Sequence, residues 1–182
     1  LYDDARHLSP ASLDGMKKRT VTLNAMSKTF GAPGYRVGFV AAPTEIIELM
    51  EKYAQYTAAG VSHPTQYGAI KALERGNDEL AENVQKLKEK RDFCVSRLKE
   101  LNFGVVVPKG AFYIMPSVKP FNYTSDEFAQ QLMKQQEVAV VPGSGFGSHS
   151  NHRIRISYAT EMEKLRKGFD RIEKFLQDNS LV

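Results

Sequence analysis

The sequence predicts an α/β protein in two parts. Short apolar or β-branched runs alternate with helix-length amphipathic stretches. Thr-x-x-Glu pairs stand in front of two of those stretches, as helix starts do. One long amphipathic stretch near the middle serves as the expected bridge between the parts.

Taken in order, residues 20–25 are alternating and β-branched, and 37–42 are nearly continuously apolar, so both are expected as strands. A Gly-rich loop over 27–36 joins them. Pro43 and Thr44 open a helix to about residue 56, with Ile46, Ile47 and Met50 as its apolar positions, and a second helix covers 64–73 until Gly76 and Asn77 stop it. Across 78–101, Leu80, Val84, Leu87, Cys94, Val95, Leu98 and Leu101 recur every three or four residues, giving the bridging helix. The expected cut is therefore near residue 77, with a first part over 1–77 and a small α/β domain over 78–182. In the second part, 105–107, 112–114, 138–141 and the alternating 153–158 read as strands. Thr124 with Glu127, and Thr160 with Glu163, are capping-box pairs ahead of helices carrying Phe128 and Leu132, then Leu165, Phe169, Ile172 and Leu176. There is no internal repeat and no Ser/Gly linker.

Composition narrows the function. The 182 residues are 42% hydrophobic and 25% charged, a globular balance, and no apolar run nears the roughly 20 residues that span a bilayer. The net charge of +4 comes mostly from basic residues interleaved with acids, as over 86–92, which is a solvated helix face and not a nucleic-acid footprint. Neither nucleic acid nor membrane is expected as a partner. A single cysteine, Cys94, excludes an internal disulfide and a Cys-rich metal site, and suits a reducing, cytoplasmic setting. His7, His63, His149 and His152 lack metal-ligand spacing and are expected on the surface or in hydrogen bonds. The sequence opens on Leu1 with no signal-peptide pattern, and a fragment of a longer chain is expected.

The chemistry concentrates in 27–36, where Lys28 stands near the start of a loop with Gly31 and Gly34, and Arg36 ends it. Glycines let backbone N–H groups approach an anion, and a guanidinium can bind phosphate through two parallel hydrogen bonds. The order of residues is not that of a nucleotide P-loop. Local chemistry alone favours a plainer reading, a surface connection with two solvated cations, since Lys28 is one of fifteen lysines.

A wider pattern decides between them. Ser27-Lys28, the glycines and Arg36-Val37-Gly38 resemble the cofactor-lysine segment of class I/II pyridoxal-phosphate-dependent aminotransferases. Gly110-Ala111-Phe112-Tyr113, the loop from Val141 to Gly147, and Arg155-Ile156-Ser157-Tyr158 resemble further segments of that family, in the same order and over essentially the whole chain. The resemblance implies the C-terminal part of a fold-type I transferase, a remnant of the large-domain sheet plus a small α/β domain. It implies pyridoxal 5'-phosphate as cofactor, amino acid and 2-oxo acid substrates, and a homodimer for the full-length protein.

Residue by residue, the resemblance makes Lys28 the catalytic lysine, forming a Schiff base with the cofactor and later moving a proton at the substrate α-carbon. Arg36 would hold the cofactor phosphate and, as a nearby positive charge, favour the neutral lysine amine, whose ordinary pKa is about 10.4. Arg155 would pair with the substrate α-carboxylate, whereas Arg153 keeps the ordinary reading of a strand arginine facing solvent or an acid. Phe30 and Tyr35 pack the loop. Tyr2 lies outside the family's Asp-x-x-Tyr pattern and receives no role. Ala25 stands where many members have a phosphate-binding serine. The family's Asp for the pyridine nitrogen and its Gly-containing phosphate loop have no counterpart in these residues, so the isolated chain is expected to be inactive. A pyridoxal-phosphate-dependent lyase acting on amino acids and a noncatalytic folded module are the alternatives.

Overall fold

The computed structural model describes residues Leu1–Val182, apart from the side chain of Asn77. The chain forms two compact units, one made of Arg6–Asn83 and the other of Leu1–Ala5 with Val84–Val182. The division falls inside the long helix, and the first five residues belong with the C-terminal unit.

In the unit Arg6–Asn83, strands β1 (Thr22–Ala25) and β2 (Gly38–Ala41) pair antiparallel, with Thr22 opposite Ala41 and Ala25 opposite Gly38. Their connection is more ordered than a Gly-rich loop. Met26–Thr29 forms a helical turn, α1, closed by the Phe30 N–H donating to the Met26 carbonyl, and Pro33–Tyr35 forms a 3-10 turn. Helices α2 (Thr44–Thr57) and α3 (His63–Arg75) follow, and Gly76 caps α3 as expected. Among the described residues, Met26 is the one buried apolar side chain of this unit, while Leu23, Leu49, Tyr53, Tyr56 and Tyr67 are exposed. Hydrophobic stabilisation follows buried area. This unit therefore holds little of it within itself.

The C-terminal unit is built the other way, around a dense core. Helix α4 (Asn77–Glu100) contributes Cys94, Val95 and Leu98, α5 (Ser125–Gln136) contributes Phe128 and Leu132, and α6 (Met162–Asp178) contributes Leu165, Phe169, Ile172, Phe175 and Leu176. Phe128 stands edge-on to Phe175 at 5.3 Å and to Phe103 at 5.8 Å, and Phe103 meets Phe121 at 4.7 Å. Such edge-to-face pairs contribute about 0.5–1.5 kcal/mol each beyond area burial. Cys94 is packing, as expected, and burial pushes its thiol pKa up to about 12.

Against these helices lies a three-stranded antiparallel sheet in the order β3 (Tyr113–Ile114), β5 (Ile154–Ser157), β4 (Val141–Pro142). The expected strand at 105–107 does not form. Val106 and Val107 are exposed, only Val105 packs on the core, and Pro108 has no N–H to extend a ladder. Of 138–141, only Val141 enters a strand, although Val138 and Val140 pack against the core.

The two capping boxes part ways. Thr124 accepts from the Glu127 N–H and Glu127 accepts from the Thr124 N–H, a complete box. At α6 the N-cap is Glu161 and no side chain caps it, so the Thr160–Glu163 box is absent. A cap contributes about 1 kcal/mol, whereas burying each large apolar side chain contributes about 1.5–3 kcal/mol. The five buried residues of α6 decide where that helix lies.

The N-terminal residues are tied into this core by chemistry the sequence did not announce. Tyr2 is buried, its N–H donates to the Lys109 carbonyl at 3.0 Å, and its hydroxyl donates to the Ala111 carbonyl. The Arg91 guanidinium lies 4.9 Å from the Tyr2 ring centroid and donates to Asp3 at 2.7 Å and to the Pro108 carbonyl at 3.0 Å. The hydrogen bond from Arg91 holds the Asp3 carboxyl below its usual range. A depressed carboxylate pKa adds stability above the unfolded value, and that stability is lost as pH falls through the folded value. Asp3→Asn is therefore expected to lower thermal stability at pH 7, and the gap from wild type should close as melting is followed from about pH 4 down to pH 2. A gap that persists unchanged at low pH would show that the charge of Asp3 is not what matters.

Candidate active site

The first group of site residues sits on the connection between β1 and β2. The Met26 N–H donates to the Val37 carbonyl at 3.1 Å, closing the base of the connection just beyond the Ala25–Gly38 pair. Lys28 projects from α1 and is exposed. Arg36 ends the connection in the left-handed region, with φ 50, and its Nη1 donates to the Pro33 carbonyl at 2.7 Å. A non-glycine residue in that region stores about 1–3 kcal/mol of strain, so the local structure fixes it there. Gly38 follows because nothing else fits: a Cβ at that position would lie 2.6 Å from the Asn24 carbonyl oxygen.

This connection suits an anionic aldehyde such as pyridoxal phosphate. Lys28 offers an amine and Arg36 a guanidinium whose one hydrogen-bond partner is a neutral carbonyl, and among the described residues no carboxylate pairs with Arg36. The positive charge is thus available to a phosphate. Phe30, Tyr35 and Val37 line a cleft of about 320 Å³ with Ala69 and Ala72 of α3, and Tyr35 is largely exposed.

Arg155 lies in the C-terminal unit, on the central strand β5 opposite Val141 of β4. Its guanidinium carbon is 4.5 Å from the Tyr113 ring centroid and 4.8 Å from that of Phe146. Among the described residues no acid pairs with it. Arg153, two residues earlier, meets neither solvent alone nor an acid, because its Nη1 donates to the Met115 carbonyl at 3.0 Å. The structure thus places Lys28 and Arg36 on one connection in one unit and Arg155 in the other.

Phe146 and Tyr113 were not singled out in the sequence, although both fall inside the motifs of 141–147 and 110–113. What hid them was strand pairing: nothing in the chain order says that β3 and β4 flank β5. Tyr2, which received no role, is a core residue; Tyr158 donates to the same Ala111 carbonyl at 3.0 Å, and burial raises the Tyr158 pKa strongly. His7, His63, His149 and His152 are all exposed, His152 Nδ1 lies 2.9 Å from the Tyr123 carbonyl oxygen, and no group of metal-binding side chains exists among the described residues.

Together these features describe the C-terminal part of a fold-type I transferase, an α/β architecture with a lysine–arginine connection and an arginine-bearing strand. The chain belongs to the family described as aminotransferase class I and II, which matches residues 2–172. Over its full length it is 46% identical to an aspartate aminotransferase of Pyrococcus abyssi and 43% identical to aromatic-amino-acid aminotransferase 2 of Thermococcus litoralis, spanning 47% of each. The crystal structure of an aromatic aminotransferase from Pyrococcus horikoshii matches all of the chain with a TM-score of 0.97 at 46% identity, with 49% of that structure covered. The chain thus spans about half the length of the curated relatives it matches.

The loop that carries Phe146 depends on Gly143. Gly143 is buried, its N–H donates to the Arg153 carbonyl at 2.8 Å, and a Cβ there would lie 2.2 Å from the Ser150 carbonyl oxygen and 2.4 Å from that of Arg153. Both obstacles are backbone, so the clash cannot be relieved by a side-chain rotation. Gly143→Ala is expected to cost about 1–3 kcal/mol in denaturant unfolding, whereas Gly145→Ala, with open space around it, should cost well under half as much.

Proposed function

We infer that the protein containing this chain is an aminotransferase that moves an amino group from an amino acid to a 2-oxo acid, with pyridoxal 5'-phosphate as its cofactor. The observation that carries this reading is the Lys28–Arg36 connection, set within a family match that runs from residue 2 to residue 172. When bound, the cofactor supplies an electron sink for charge developing at the substrate α-carbon.

Lys28 and Arg36 would hold it, the lysine by its amine and the arginine by the phosphate. A neutral Nζ can take the proton from the substrate α-carbon and return it, which is general acid–base catalysis and contributes typically 10²–10⁴-fold. Arg155 would receive the α-carboxylate through paired N–H donors, fixing which bond at the α-carbon is broken.

A homodimer in the cytoplasm is part of the same reading. The family and the reduced-compartment character of a single buried cysteine support it. The 182 residues alone are proposed to be inactive, because they hold no counterpart of the family's Asp for the pyridine nitrogen or of its Gly-containing phosphate loop.

The test uses keto-acid formation by the full-length protein. Lys28→Ala is expected to lower kcat more than about a hundredfold, and Arg155→Ala to raise KM for the amino acid. The 182-residue chain mixed with pyridoxal phosphate should develop no stable visible band beyond that of any protein lysine. Wild-type turnover in Lys28→Ala would remove the lysine from the mechanism.

A further inference from the structure

Arginines of the C-terminal unit are held in place in different ways. Arg91 donates to Asp3, Arg97 to Glu100 and Glu173, and Arg153 to the Met115 carbonyl. Each of these uses N–H donors of the guanidinium. Arg155 is held by the Tyr113 and Phe146 rings, at 4.5 and 4.8 Å. Attraction between a cation and an aromatic ring uses the ring quadrupole and none of the N–H donors. Arg155 is therefore restrained with its hydrogen-bonding capacity still on offer.

We propose that Phe146 and Tyr113 are positioning residues that clamp the Arg155 guanidinium for the α-carboxylate of the amino acid substrate. This rests on the assignment of Arg155 to that carboxylate. The physical reason is entropy: an unrestrained arginine loses rotamer freedom when it is fixed on a ligand, and a clamp that fixes it beforehand removes that cost from binding. An acidic partner would also fix the side chain, but it would neutralise the charge and occupy the paired donors that a carboxylate needs.

The fold supplies the two rings from opposite sides of the central strand. Tyr113 belongs to β3, which pairs with β5 through Tyr113–Ser157 and Ile114–Ile156. Phe146 belongs to the 3-10 turn Gly143–Phe146, directly after β4, which pairs with β5 through Val141–Arg155. The turn is anchored at Gly143 by the hydrogen bond to Arg153, and the Ser144 N–H donates to the Ser125 hydroxyl at 3.2 Å. Phe146 itself is 49% exposed, so its ring fills no core space and its replacement should leave the fold intact.

The experiment compares Phe146→Leu, Phe146→Tyr and Arg155→Ala in the full-length protein with its cofactor. Phe146→Leu keeps apolar bulk and removes the ring; it is expected to raise KM for the amino acid by about 3–10-fold with kcat near wild type. Phe146→Tyr restores the ring and should restore KM. A second readout needs no cofactor: the Arg155 Hε resonance of the nitrogen-15-labelled full-length protein, identified by its loss in Arg155→Ala, should move in Phe146→Leu and stay near its wild-type position in Phe146→Tyr. An unchanged KM in Phe146→Leu, with Arg155→Ala impaired, overturns the clamp and leaves the role of Arg155 standing. An unchanged KM in Arg155→Ala overturns that role, and the clamp with it.

Discussion

The closure of β1 on β2 is the constraint on which the candidate site depends. The Ala25–Gly38 pair and the hydrogen bond from Met26 to Val37 bring the two ends of residues 26–37 together, and the connection must turn back within that length. Three consequences follow along the chain. Met26 is buried and roots the helical turn that carries Lys28. Arg36 is driven into a left-handed conformation, and position 38 is left with no room for a side chain. An amine and a guanidinium eight residues apart thereby become features of one short structure, which is what gives two common residue types a joint chemistry.

The C-terminal unit solves a different problem, that of presenting one arginine from a sheet. Its aromatic core, with Phe128 in contact with Phe103, Phe121, Tyr123 and Phe175, gives the three-stranded sheet a firm backing. The sheet in turn places Arg155 on its central strand, with ring-bearing segments on both flanks. Tyr2 and Asp3, from the far end of the sequence, complete the same unit by covering Arg91. In Arg6–Asn83, by contrast, the apolar side chains are mostly exposed.

Much of this was legible in the sequence where a local rule applied. Helical periodicity placed α4 with its ends within a residue of 78 and 101, and the Thr124 box marked the start of α5. The resemblance carried by ordered motifs gave the family, which the comparisons show. Local rules failed where partners distant in sequence decide. Val105–Val107 looked like a strand, yet no described strand pairs with them; Thr160 looked like a cap, yet the buried face of α6 set the helix one residue later. Tyr2 on Ala111, Asp3 on Arg91 and the rings around Arg155 are long-range contacts, and no spacing along the chain encodes them.

The assignment of Lys28 as cofactor anchor is the claim on which the functional account turns. Its most direct test is to incubate the full-length protein with pyridoxal phosphate, reduce with borohydride, digest, and locate the added mass by peptide sequencing in a mass spectrometer. One stoichiometric adduct is expected, on Lys28. A stoichiometric adduct on any other lysine, or none on Lys28 in active protein, would contradict the assignment.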